Sequence, residues 1–282
     1  MNHKISLASV SAYGAKLVII TSFLISLSKA TAWAENPSFV LCTENQSYPP
    51  YFIGEQDTFP EKKPGILVEI IDASLKKAGF SAEFIRRPWK RCLKLLEQNK
   101  IDGIFASIHL KEREFIGRYP YLPVRVSISN KPDPDRRLRR VTYSLFKKKG
   151  SDFDWDGENF SNMRHSIGAS TDYVIVKKLK EEHSIMANTR HLPTKGLQHV
   201  AAGRLDAYIV ESTIGNNLIK KLGLEGKLAE VKHPFARYDW YMMISHKFYN
   251  TDPHLADEIW NNVGQYRQQN IQRLIQHYSN SP

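Results

Sequence analysis

Asn99–Ser107 reads NKIDGIFAS, and Gly203–Ser212 reads GRLDAYIVES. Each stretch runs from a helix-ending residue through a cation, an aliphatic residue, an aspartate and a small residue into an apolar run. Asn99 and Gly203 stand where a helix wants a left-handed cap, and the apolar runs suit buried strands. Asp102 and Asp206 fall at the turn into the strand and are read as structural.

Working back from the first stretch, PWKRCLKLLEQNK predicts a helix with Pro88 in its first turn, preceded by the strand SAEFIRR. Upstream, GILVEIIDASLKKAGF places Leu67, Ile70, Ile71, Leu75 and Ala78 at helical spacing and closes on Gly79. A short strand, Ser38 to Cys42, leads into that helix through the Pro- and Tyr-rich loop QSYPPYF. Strand, helix, strand, helix, strand is an α/β unit with a mainly parallel sheet.

Working back from the second stretch repeats the order. HSIGAS is a strand, TDYVIVKKLKEEH a helix capped by Ser170 or Thr171, IMANTR a strand, PTKGLQHVAAGR a helix and LDAYIVE a strand. Two such units predict an α/β protein of two lobes with a cleft between them. Lobe one takes 35–125 and 236–282, and lobe two takes 126–235. A long extended and turn-rich stretch from Tyr121 to Met163 makes one crossing, and a second falls near Val231 to Tyr238. The strand WYMMISHKF and a helix from about His254 to His277 return to lobe one.

The 282 residues are 41% hydrophobic and 24% charged, ordinary for a globular chain. Residues 1–34 read differently. Lys4 and Lys16 precede the apolar run Leu17 to Leu27, and Ala32-Trp33-Ala34 offers small residues for cleavage after Ala34. This is the layout of a secretory signal peptide, too short in its apolar run for a permanent anchor. Export to the periplasm is expected. Cys42 and Cys92 are the only cysteines. In an exported chain they either form one disulfide, stabilising by roughly 3–4 kcal/mol on loop-entropy grounds, or remain two buried thiols.

The formal charge is +11. Export and the scatter of cations over helix faces argue against nucleic acid as the partner. The densest cluster, KPDPDRRLRR from Lys131 to Arg140, is interrupted by prolines and aspartates; it reads as a solvated connector or as a docking patch. No histidine or cysteine spacing suits a metal, and no Gly-x-Ser-x-Gly elbow or phosphate loop is present, so no cofactor is expected.

Taken together, the YPPY loop, GILVEIIDASLKKAG, the PWKRCLKLLEQNKIDGIFAS block, KERE and GRLDAYIVES resemble the bacterial extracellular solute-binding proteins of family 3. The resemblance covers nearly all of the chain beyond the leader. It implies a periplasmic-binding-protein-like fold of type II closing on a small polar solute such as an amino acid, and an inner-membrane ABC permease as partner to a monomer. By the same resemblance Arg113 grips a ligand carboxylate, for which a guanidinium offers two parallel donors. Leu-Lys-Glu-Arg replaces the family's Thr-Pro-Glu-Arg there. Glu211, where aspartate is commoner, matches the acid for the ligand ammonium, and Glu44 and Tyr48 match a second acid and an aromatic wall.

Three further expectations rest on position. Ser107 ends the third strand, where cleft residues of α/β sheets gather. Ser170 and Thr171 open a helix whose free N–H groups suit a carboxylate. Trp89 is either a second apolar wall or core. Taken alone, Arg113 reads better as a surface arginine of a Lys-Glu-Arg-Glu helix, and Glu211 has a helix N-cap or a surface acid as its alternative. A periplasmic enzyme on this fold, such as a small-molecule lyase using Glu44 and Glu211, and a ligand-sensing module are the alternatives to transport.

Overall fold

The computed structural model describes residues 36–54, 56–122, 131–170 and 174–279. The expected leader and Thr171 lie outside the described residues. In lobe one, β1 (Ser38–Glu44), α1 (Ile66–Lys77), β2 (Ser81–Arg87), α2 (Trp89–Glu97) and β3 (Gly103–Ile108) follow in order. β1 pairs with β2 and with β3, both parallel. Ile66, Leu67, Ile70, Ile71 and Leu75 of α1 are fully buried, each contributing about 1.5–3 kcal/mol of transfer free energy.

The chain then crosses on β4 (Arg139–Lys148), and β5 (Asp154–Trp155) and β6 (Phe160–Ser161) make a small hairpin. β7 (Ile167–Ala169), α3 (Val174–His183), α4 (Pro193–Ala201) and β8 (Ala207–Glu211) build the second lobe. α5 (Ser212–Lys221) and β9 (Leu228–Glu230) complete it. β10 (Ala236–Ile244) crosses back, followed by α6 (His246–Thr251) and α7 (Pro253–Ser279), which packs on α1. No helix among the described residues is long and apolar enough to cross a membrane.

Two sheets become one through strands that change partners halfway. Arg139 to Tyr143 of β4 pair with β10, and Tyr143 to Lys147 pair with β8. β10 pairs with β4 over Ala236 to Trp240 and with β3 from Trp240 onward. The resulting order is β2-β1-β3-β10-β4-β8-β7, with β9 beside β4. The two crossings are therefore neighbouring antiparallel strands, a paired hinge.

The opening stretches build the same joint twice. Asn99 (φ 52°) and Gly203 (φ 72°) are left-handed caps. Asn99 N–H donates to Leu96 O and Lys100 N–H to Leu95 O; Gly203 and Arg204 repeat this on Val200 and His199. This is the Schellman arrangement. Asp102 then accepts the Val40 N–H at 2.9 Å, while Asp206 accepts those of Arg164 and His165 at 2.9 and 2.6 Å. Each carboxylate ties the joint to the start of the adjacent strand.

Two expectations change. IMANTR forms no regular strand: it makes a single bridge, Asn188 with Gly168, and the Asn188 side chain turns back to accept the Arg190 N–H. Within the expected crossing stretch the strand itself is β4, from Arg139, and the turn Pro134–Arg136 ahead of it packs on α7. Arg136 is buried there, 2.8 Å from Asp257, and Arg267 donates to Asp135 O. The basic stretch is thus no solvated connector, since Arg136, Arg137 and Arg140 are paired with Asp133, Asp257 and Asp239. Cys42 and Cys92 form a disulfide across a separation of 50 residues, tying α2 to β1.

Candidate functional site

Where the sheet passes from one lobe to the other, a cleft opens around a cavity of about 60 Å³. The ends of β1 and β3 bring Glu44, Phe105 and Ile108 to it from lobe one. Ile209, Val210 and Glu211 of β8 arrive from lobe two. The crossing strands supply its floor, Tyr143 from β4 and Trp240 from β10. Side chains collect here because strand ends and helix starts of both units point at the same gap.

Arg113 lines the cleft from a single 3-10 turn, Lys111–Arg113, just after β3. Its Nη1 donates to Ile108 O at 3.4 Å, and its guanidinium carbon stands 6.0 Å from the Trp89 ring. Trp89 itself opens α2 and lines the same cleft. A guanidinium braced by a carbonyl and an aromatic face is held in place at the cleft wall.

Glu211 faces Arg113's lobe from the other side. It is 3% exposed and caps α5, with Oε2 accepting the Ile214 N–H at 3.0 Å. Its Oε1 accepts from the Tyr51 hydroxyl at 3.1 Å. Burial pushes this carboxyl up to about 7, against the opposing pull of the Ile214 N–H, Tyr51 and Arg139. Tyr51 crosses from lobe one, lies 3.1 Å from Thr213 Oγ1, accepts from Arg139 Nε at 3.2 Å, and is itself pushed up to about 12 by burial. Glu211 is therefore both a cap and a wall of the cleft.

Glu44 and Tyr48 also line the cleft, 8% and 6% exposed. Behind Glu44 lies Arg86, fully buried, whose guanidinium donates to the carbonyls of Glu44, Gln46 and Thr58. That network shapes the loop that carries Tyr48. Ser170 lines the cleft at the end of β7, its hydroxyl 3.2 Å from that of Tyr208.

Ser107 is the one described candidate placed elsewhere. Its hydroxyl lies 3.0 Å from the Tyr119 hydroxyl and 3.3 Å from Met243 Sδ, on the opposite face of the sheet. The reason is a bulge: pairing with β10 slips between Tyr241 and Met243, and Ala106 takes a left-handed φ of 61°. Ala106 enters the cleft lining in its place. Extra residues in a bulge reverse the faces that simple alternation assigns.

Tyr51, Tyr143 and Trp240 were not singled out from sequence. Tyr51 sits three residues from Tyr48 in the same YPPY loop, and Tyr143 and Trp240 lie on crossing strands that must floor any cleft between two lobes. Those were the available signals. Among the described residues, no three His, Cys, Asp or Glu side chains gather as a metal site would require.

Contacts also bridge the mouth of the cleft. Lys177 of α3 pairs with Glu112 of the turn bearing Arg113. Asn217 Nδ2 of α5 donates to Pro49 O at 2.8 Å. With the Tyr51 bonds, these hold the two lobes together around the cavity.

No protein-family model matches this chain, and neither does any curated protein compared with it. Solved structures do match. A histidine kinase sensor domain described as similar to periplasmic binding proteins has a TM-score of 0.66 at 16% identity, over 87% of this chain and 97% of that one. The substrate-binding protein of an amino acid ABC transporter gives 0.63 at 14% identity, over 86% and 100%. The ancestral amino-acid-binding protein AncCDT-1, described as a precursor of cyclohexadienyl dehydratase, gives 0.62 at 16%, over 86% and 95%. At these identities the likeness is one of fold: a two-lobed, periplasmic-binding-protein-like α/β architecture.

Proposed function

We propose that this chain is an exported solute-binding protein that captures an amino acid or similar zwitterion by lobe closure and presents it to an inner-membrane ABC permease. The observation that carries the reading is the placement of Arg113 on one lobe and Glu211 on the other, facing one cleft. A ligand with a carboxylate and an ammonium group is bound fully only when both lobes engage it. The solved neighbours, two of them described as amino-acid-binding or as the substrate-binding protein of an amino acid transporter, support this class of ligand.

In the open form the carboxylate meets the Arg113 guanidinium as a two-donor pair. Closure brings Glu211 to the ammonium, whose charge favours the ionised carboxylate that burial otherwise disfavours. Contacts made to both lobes shift the hinge equilibrium, because the ligand binds the closed state better. Glu112 with Lys177, and Asn217 with Pro49, fasten the closed form. A leader ending at Ala34 and the Cys42–Cys92 disulfide suit an oxidising compartment such as the periplasm.

A thermal-shift panel of amino acids, small peptides and other polar solutes tests this, since a ligand at 100 times its dissociation constant adds about 2.7 kcal/mol. An upward shift with at least one zwitterion is expected; no shift with any would sink the proposal. A second reading has its own support. A buried cleft carboxyl near 7 suits general acid/base work, and one neighbour is a dehydratase precursor. NMR of the ligand after incubation separates the two, since a binding protein returns it unchanged. The sensor alternative, favoured by the kinase sensor domain, shares the binding step and differs only in the partner.

A further inference from the structure

The cleft offers a ligand far more carbon than charge. On the lobe-one side Phe52 and Phe105 are 3% and 0% exposed, with ring centroids 6.4 Å apart edge to face. Tyr48 stands 5.5 Å from Phe52 in the same arrangement. Each ring blocks its neighbour from turning aside, so this wall is preformed. On the lobe-two side Val174, Ile209, Val210 and Ile214 contribute an aliphatic wall, none more than 6% exposed.

The charged groups lining the cleft are Glu44, Arg113 and Glu211. On the amino-acid reading above, on which this inference rests, Arg113 and Glu211 are taken up by the two ends of the zwitterion. Glu44 remains, with the fully buried guanidinium of Arg86 behind it, bonded to the Glu44 main-chain carbonyl. A lysine or arginine side chain would bring a second buried cation beside Arg86, and a glutamate side chain would find no second lining cation. The other polar atoms of the lining, on Thr43, Tyr48, Tyr143, Ser170 and Trp240, are neutral and do not replace the hydration of a charge.

We propose that the ligand is an amino acid with a large, uncharged, apolar side chain, of phenyl or branched-alkyl size, seated between the aromatic wall of lobe one and the aliphatic wall of lobe two. Glutamine fits less well, because the two walls are mostly carbon and its amide would exchange water for few partners.

The test is calorimetric titration of protein refolded to remove any bound ligand, using phenylalanine, leucine, glutamine, lysine, arginine and glutamate. Phenylalanine or leucine should bind at least about tenfold tighter than glutamine, and the charged three weaker still. If a charged amino acid or glutamine binds tightest, the apolar assignment is overturned while amino-acid binding stands. If none of the six produces heat but another zwitterion shifts the thermal midpoint, the assignment is again overturned; if no zwitterion does either, the parent reading fails too. A variant places the side chain: Phe52→Leu should weaken phenylalanine about tenfold with the fold intact by circular dichroism. Unchanged affinity in a folded variant would overturn the seating.

Discussion

Arg113 and Glu211 carry the account at the scale of single residues, and they behave differently. Arg113→Ala should abolish carboxylate-dependent binding, a loss of about a hundredfold or more, since a charge-assisted two-donor pair contributes roughly 1.5–3 kcal/mol and the partner charge is left stranded. Arg113→Lys should recover only part of it, because a lysine cannot donate in parallel. Titration calorimetry of both variants is the check, and full affinity in Arg113→Ala would show that the carboxylate goes elsewhere.

Glu211 makes the protein sensitive to pH. Its folded value of about 7 lies above the ordinary 4.5, so between those values the folded chain holds a proton that the unfolded chain has released. Stability from this group is full below pH 4.5 and is lost as pH rises through 7, on the order of 3 kcal/mol in all. Glu211→Gln keeps an oxygen for the Ile214 N–H and should flatten that slope in urea titrations. Ligand affinity should run the other way, rising from pH 6 to 8 as Glu211 ionises to meet the ammonium; affinity independent of pH over this range would remove Glu211 from the binding step. Of the site candidates, Arg113 and Glu211 rested on their position in a family pattern. Their surroundings, Tyr51 and Arg139 above all, were illegible because they depend on contacts across 88 and 160 residues.

At the scale of elements, the repeated joint after α2 and α4 was the most legible feature, because a left-handed cap and an aspartate are local signals. What the aspartates do was legible only as structure in general. Asp206→Ala removes two acceptor bonds and should cost about 2 kcal/mol, and Asp102→Ala, with one bond, about 1 kcal/mol. Ligand affinity in both should stay at the wild-type value; a loss of binding in a stably folded variant would return these residues to the site. The α5 helix went unread because its exposed face, Asn216, Asn217, Lys220 and Lys221, obscures the apolar positions Ile214, Leu218 and Ile219 that it buries. Ser107 was misplaced because a bulge leaves no mark in a run of small and apolar residues.

For the whole molecule, helical and strand periodicity sufficed to predict two α/β units and two crossings. It could not predict that β4 and β10 pair with each other and change partners halfway, since register between distant strands is set by packing and not by local pattern. The disulfide was left open by sequence and closes a 50-residue separation. Its reduction should cost about 4 kcal/mol by loop entropy, read as a shift of the urea midpoint, and the Cys42→Ala/Cys92→Ala double variant should reproduce that shift.

Capture by closure is the central claim, and the hinge gives it a measurable coordinate. Spin labels at Arg91 on α2 and Lys195 on α4, both exposed and on opposite sides of the cleft, report the distance between lobes by pulsed electron resonance. Without ligand the distribution should be broad and reach to long distances, collapsing on addition of a binding amino acid to one narrow, shorter peak. A distribution that does not change with a ligand known to raise the thermal midpoint would contradict it.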